Sequence, residues 1–297
     1  MSGPLTLLII VVLLIVQVIG RMAGSDKPRT PRYSPTPERV EARRPLPQPR
    51  EARPDGTRAL APPASSDPIV EVPVAGARTS VGTAFSLDGR GTWMTARHVA
   101  DGCSRIGIVT APRVAMRVQS VYIHPSADLA VLRTERGAPH VAFSPDQLRV
   151  GATGYHFGFP KGEPGAVQSS LLGRATLRSR GRYVVSEPVV VWAERERVPE
   201  SDDHLGGISG GPAFDTSGRV IGVTVAGSAR RGRVFTTDPS SMHAALGSAN
   251  VTPGAESVAV RPRLTAGTWI DEGAALRRNL SVAQVVCLVD QLQIRVR

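Results

Sequence analysis

The chain has 297 residues, 41% of them hydrophobic and only 4% aromatic, and a formal net charge of +11. This allows one large domain or two small ones with a core built mainly from Val, Leu, Ile and Ala. The charge does not argue for nucleic-acid binding, and none is expected: residues 21–65 hold ten basic and five acidic side chains, nearly half of the excess, in a proline-rich stretch without hydrophobic periodicity. The chain has two cysteines, Cys103 and Cys287, and no C-x-x-C or Cys/His cluster. A metal site is therefore not expected, and nothing calls for a cofactor.

Residues 5–19 are apolar without an interrupting charge, and from Pro4 to Gly20 the run is 17 residues long. That is the short end of a membrane span. No Lys or Arg precedes it and no A-x-A-like site follows. An uncleaved anchor over 1–23 that holds the chain to a membrane is the expectation, with a cleaved signal segment as the alternative. Residues 24–68 are rich in proline and arginine, a composition that suits a disordered, extended spacer.

From about residue 69 the pattern changes to short β-branched runs between Gly, Asp and Pro turns. Strands are expected over Ile69–Val74, Thr83–Ser86, Gly107–Thr110, Val114–Ile123, Leu129–Arg133, Tyr183–Trp192 and Val220–Val225. The spacing reads as an all-β sandwich or barrel. Asp215-Thr216-Ser217-Gly218 is a turn signal. Met242–Leu246 reads as a short helix. Over Ser281–Gln291 apolar residues stand at 282, 283, 285, 286 and 289, and the expectation is a helix.

Gly207-Ile208-Ser209-Gly210-Gly211-Pro212 has the form that presents a serine nucleophile. Glycine before the serine lets the backbone turn its N–H groups toward a developing oxyanion. Two other stretches belong with it: Gly82-Thr83-Ala84-Phe85 followed by Thr95-Ala96-Arg97-His98, and Asp128-Leu129-Ala130-Val131-Leu132. Together they resemble the chymotrypsin/trypsin class of serine proteases, in the order His98, Asp128, Ser209 and with gaps of 30 and 81 residues. Gly154-Tyr155-His156-Phe157-Gly158-Phe159-Pro160 is similar to the loop that opens the second barrel in the bacterial HtrA-like branch.

The resemblance covers about 70–240. It implies two six-stranded β-barrels with the site in the cleft between them, a protease domain over 69–245 and a C-terminal extension with a helix over 246–297. The stretch after 242 is too short for the PDZ domain such proteases usually carry, so none is expected. The implied activity is peptide-bond hydrolysis on protein or peptide substrates. His98 would be the base, Asp128 its orienter and Ser209 the nucleophile, with the Gly207 and Ser209 amides as oxyanion hole. Ile208 stands where digestive trypsins have an aspartate, so activation by a newly cut N-terminus is not expected. Asp203, six residues before Ser209, would favour substrates with Arg or Lys; the preferred reading makes it a solvated loop residue. Val225, Ala226 and Gly227 would line the specificity pocket. A catalytically silent binding module of the same fold is the alternative function.

Arg21, Lys27, Arg29 and Arg32 follow the apolar run, which by the positive-inside tendency would leave the bulk of the chain in the cytoplasm. The resemblance points the other way, and a periplasmic or other extracytoplasmic placement is the expectation. There Cys103 and Cys287 would pair; free thiols are the alternative.

Overall fold

A computed structural model of the chain describes residues 58–200, 204–228 and 231–290. The expected anchor over 5–19, most of the expected linker and Asp203 lie outside the described residues. Among the described residues no helix is long and apolar enough to cross a membrane.

The described chain is mostly β. In order it runs β1 (Ile69–Val74), β2 (Ser80–Ser86), β3 (Thr92–Thr95), α1 (Arg97–Ala100), β4 (Arg105–Ala111), β5 (Val114–Ile123), β6 (Ala130–Thr134), β7 (Thr153–Gly158), β8 (Gly165–Gly181) and β9 (Ser186–Val198). Then follow β10 (Pro212–Phe214), β11 (Val220–Ser228), β12 (Arg233–Thr237), α2 (Pro239–Ser248), α3 (Trp269–Arg278) and β13 (Val282–Leu288).

Six strands close a barrel in the order β13-β2-β3-β6-β5-β4. The others form a seven-stranded sheet, β1-β8-β7-β10-β11-β12-β9, in which β8 also pairs with β9. The seventeen-residue β8 makes this arrangement. Its first residues pair with β7 on one edge, and from Thr176 to Gly181 that edge takes β1 in parallel, while β9 follows the other edge.

The expected pair of six-stranded barrels is thus one closed six-strand barrel and a larger sheet that gains β1. The expected helix over Ser281–Gln291 is corrected: Val282–Leu288 is β13, which completes the first barrel between β2 and β4. Its neighbouring apolar residues are buried together because both edges of the strand are paired and both faces are covered. That removes the alternation by which a half-buried strand is read. Residues 58–68, the end of the expected linker, lie against the second sheet. The Leu60 side chain is buried, and its N–H donates to the Leu148 carbonyl at 2.7 Å.

Val167, Leu171, Val190, Trp192, Ile221 and Val234 fill the second sheet. A separate cluster joins the two halves, with Phe85, Met94 and Leu129 meeting Phe157, Phe214 and the helix residues Met242, Trp269 and Leu276. Two of the three buried indole N–H groups donate to threonine hydroxyls: Trp93 to Thr134 Oγ1 at 2.8 Å and Trp192 to Thr236 Oγ1 at 2.9 Å.

Candidate active site

The strand pair β3–β6 brings His98 and Asp128 together. The two strands are antiparallel, with Thr95 opposite Ala130. The chain leaving β3 and the chain entering β6 therefore meet at one edge of the barrel. His98 sits there on the single turn α1, and Asp128 precedes β6. The Asp128 carboxylate takes three donors. Oδ2 accepts from His98 Nδ1 at 2.7 Å, and Oδ1 accepts the His98 backbone N–H at 2.9 Å and the Tyr183 hydroxyl at 2.7 Å. This leaves His98 Nε2 as the ring nitrogen free to act on another group.

Burial disfavours a charged His98 ring, but the charge and hydrogen bond of Asp128 together outweigh burial and the opposing charge of Arg182. The His98 pKa is raised above 6.5. Burial likewise works against the Asp128 carboxylate. The His98 charge and the hydrogen bonds from His98 and Tyr183 hold it below the ordinary 3.8. Glu187 is buried behind Asp128 and accepts the Asp128 N–H on Oε1 at 2.6 Å. Burial, then the charges of Asp128 and Asp238, push the Glu187 carboxyl up to about 8, against the pull of that hydrogen bond.

Ser209 lies in the loop before β10, and contacts from both halves hold that loop. The Thr83 N–H donates to the Ser209 carbonyl at 2.9 Å, and Thr83 Oγ1 donates to the Gly207 carbonyl at 2.7 Å. From the turn after β7 the Lys161 N–H donates to Gly206 C=O at 2.6 Å, and the Gly210 N–H donates to the Thr224 carbonyl on β11 at 2.8 Å. Gly210 has φ of +86°, and a Cβ there would lie 2.1 Å from the Thr83 carbonyl oxygen, so no other residue fits. Ile208 is buried among Leu205, Ala213, Ile221 and Val234. An apolar anchor in the core thus holds the loop at the position where digestive trypsins carry an aspartate. Among the described residues, the amides of Gly207 and Ser209 donate to no backbone carbonyl.

A cleft of about 900 Å³ brings the expected residues together: His98, Asp128, Gly207, Ser209, Val225, Ala226 and Gly227 all line it. Val225 sits at a bulge where the β11–β12 register shifts. Cys103 and Cys287 form a disulfide that fastens β13 to the loop after α1. His156, in the stretch similar to the loop that opens the second barrel, is a buried residue of β7. Its Nε2 meets Ser169 Oγ at 2.7 Å, and burial lowers its pKa to about 3. Among the described residues no cluster of His, Cys, Asp and Glu could hold a metal ion. Tyr183 and Glu187 went unread in the sequence. They fall within the strand expected over 183–192, and nothing in the local pattern sets them apart.

A family model described as "Trypsin-like peptidase domain" matches residues 82–223. Among curated proteins, an uncharacterized protein, y4bJ, of Sinorhizobium fredii is 31% identical over 54% of this chain and 24% of its own length. A probable periplasmic serine endoprotease, DegP-like, of Brucella suis is 30% identical over 49% of this chain and 27% of its own. The chain thus spans about a quarter of the length of these relatives. Among solved structures, the active form of the Rv3671c protease from M. tuberculosis overlays 68% of this chain and 99% of its own, at 20% identity and a TM-score of 0.46. The HtrA-type protease AlgW with a decapeptide overlays 56% and 50%, at 24% identity and a TM-score of 0.43. Residues 82–223 of this chain thus match the model of a trypsin-like peptidase domain, and one of the two curated relatives is named a probable DegP-like serine endoprotease.

Proposed function

We propose that the chain is a serine endopeptidase that hydrolyses peptide bonds through Ser209, His98 and Asp128. The observation that carries this reading is the 2.7 Å contact of His98 Nδ1 with Asp128 Oδ2 in a cleft shared with Ser209 and Gly207. In this reading His98 Nε2 takes the Ser209 proton as Oγ attacks the scissile carbonyl, and later gives it to the leaving amine. Asp128 fixes the tautomer and stabilises the imidazolium. The Gly207 and Ser209 amides, which among the described residues donate to no backbone carbonyl, receive the oxyanion. Val225, Ala226 and Gly227 form the pocket wall for the residue before the cut.

The disulfide and the periplasmic naming of the DegP-like relatives support an extracytoplasmic site of action. Anchoring through residues 5–19 belongs to the same reading, supported by their uninterrupted apolar character.

One observation favours a silent binding module: among the described residues, His98 makes no hydrogen bond with Ser209. In the absence of substrate such bonds are often long, so the enzyme reading stands. Labelling with a fluorophosphonate separates the two. The enzyme is labelled and Ser209→Ala is not; a wild-type chain that resists the probe at every pH is a binding module.

A further inference from the structure

Asp128 belongs to the first barrel, yet much of what holds it comes from the second sheet. The turn between β8 and β9 places Tyr183 Oη 2.7 Å from Asp128 Oδ1, and the start of β9 places Glu187 Oε1 2.6 Å from the Asp128 backbone nitrogen. Arg182 from the same turn donates through Nη2 to the His98 carbonyl at 2.9 Å. One short segment of the second sheet thus reaches the backbone or side chain of both His98 and Asp128.

The turn is itself fixed. The Ser179 N–H donates to the Val185 carbonyl at 2.9 Å, the Val185 N–H donates to Ser179 Oγ at 2.8 Å, and the Arg182 N–H reaches the Val74 carbonyl on β1 at 3.1 Å. Tyr183 and Val185 point inward, whereas Val184 between them is 74% exposed. The Tyr183 ring carries the Arg97 guanidinium 4.0 Å from its centroid and the Arg182 guanidinium at 5.9 Å. These contacts aim the phenol rather than merely fill space: the ring is clamped between cations, and among the described residues its hydroxyl bonds only the carboxylate.

We propose that Tyr183 is a positioning residue of the peptidase site, holding the Asp128 carboxylate in the plane of the His98 ring so that a competent base forms only when the second sheet is docked on the first barrel. The proposal rests on the reading of His98, Asp128 and Ser209 as the hydrolytic triad. Without the phenol Oδ1 keeps only the His98 N–H, and the carboxylate is free to turn away from Nδ1. Burial and the Asp128 charge push the phenol's own pKa up, so it remains a donor throughout the working range. The charged and titratable groups that face the pair are Arg182 on His98, Glu187 on Asp128, and Arg97 on the phenol ring. None of them is altered by the change that isolates the hydroxyl.

That change is Tyr183→Phe. It keeps the ring and its cation contacts and removes one oxygen. Fluorophosphonate labelling of the full chain is expected to slow by about tenfold, the loss of one hydrogen bond to a charged group in the transition state. The pH midpoint of labelling is expected to fall by about half a unit, because a carboxylate free to turn away from Nδ1 holds the proton on His98 less firmly. The thermal midpoint stays within a few degrees of wild type, and Tyr183→Leu, which also removes the ring, loses stability as well. A Tyr183→Phe chain with wild-type rate and midpoint overturns the proposal. NMR titration of the His98 ring is the readout that needs no activity. If the wild type takes no label, the triad reading fails by itself, and an unmoved His98 titration in Tyr183→Phe then overturns the clamp separately.

Discussion

His98 and Asp128 set opposite demands on pH, and the sign of each follows from its shift. His98 has its pKa raised above 6.5, so the stability it draws from Asp128 is fully present below 6.5 and is lost as pH rises through the folded value. Asp128 is held below 3.8, so its contribution is present above 3.8 and is lost as pH falls through the folded value. A base must be neutral to act, so labelling of Ser209 should rise with pH through the raised His98 value. The expected acid-side midpoint lies above 6.5, and a rate-against-pH profile checks it; a midpoint below 6.5 would mean that Asp128 does not hold the imidazolium. Glu187 explains how a second carboxyl is tolerated behind Asp128. Its pKa of about 8 keeps it protonated at neutral pH, so only one buried anion faces His98. The local sequence carried the three residues of the proposed triad because the G-x-S-G-G loop, the T-A-x-H turn and the D-L-A strand each have their own pattern. It carried nothing of Tyr183, Glu187 or Arg182. Their partners lie 55, 59 and 84 residues away, a pairing that only the docking of the two halves creates.

Most strands were readable because turns with Gly, Asp and Pro bound them. Val114–Ile123 is the clearest, a long run beside a tight turn at Arg113, whose φ is +63°. Reading failed at β13 for a physical reason. Val282, Ala283 and Val285 are all buried, and Val286 is partly so, which mimics a helical stripe. The β-branched content of the segment was the better signal. Val286→Ala tests the difference. In a helix the change would be neutral or favourable, since alanine is the best helix former. In β13, Val286 stands between Val81 and Gly107, and its Cγ2 closes on the glycine face. The expected outcome is a loss of about 1 kcal/mol, seen as a lower urea midpoint with unchanged slope. A gain in stability would contradict the strand.

In the whole molecule, the end of the described chain supports the site that its middle carries. β13 enters the first barrel beside β2, the strand whose Thr83 grips the Gly207 and Ser209 carbonyls. Gln284 Nε2 on β13 also donates to Gly162 C=O at 3.0 Å, in the turn whose Lys161 holds Gly206. A barrel closed by a strand from so far along the chain is entropically expensive, because pairing β13 with β2 closes a long loop of chain. The Cys103–Cys287 bond acts on that cost. It spans 184 residues, and in the chain-entropy account closing a loop of that length removes about 5 kcal/mol of freedom from the unfolded chain. Reduction, or the double change Cys103→Ser with Cys287→Ser, should therefore lower the unfolding free energy by up to that amount, read as a lower urea midpoint. The shortfall would measure the structure that persists in the reduced unfolded chain. Ser209 labelling should fail together with release of β13, since β13 flanks β2, whose Thr83 holds the Ser209 loop, and bonds the turn that carries Lys161. Unfolding followed by tryptophan fluorescence with and without reductant, run beside labelling at each urea concentration, checks this. Coincident curves that both shift on reduction tie the bond to the site. A reduced chain with an unshifted midpoint would mean that the β2 and β4 ladders hold β13 without the tether.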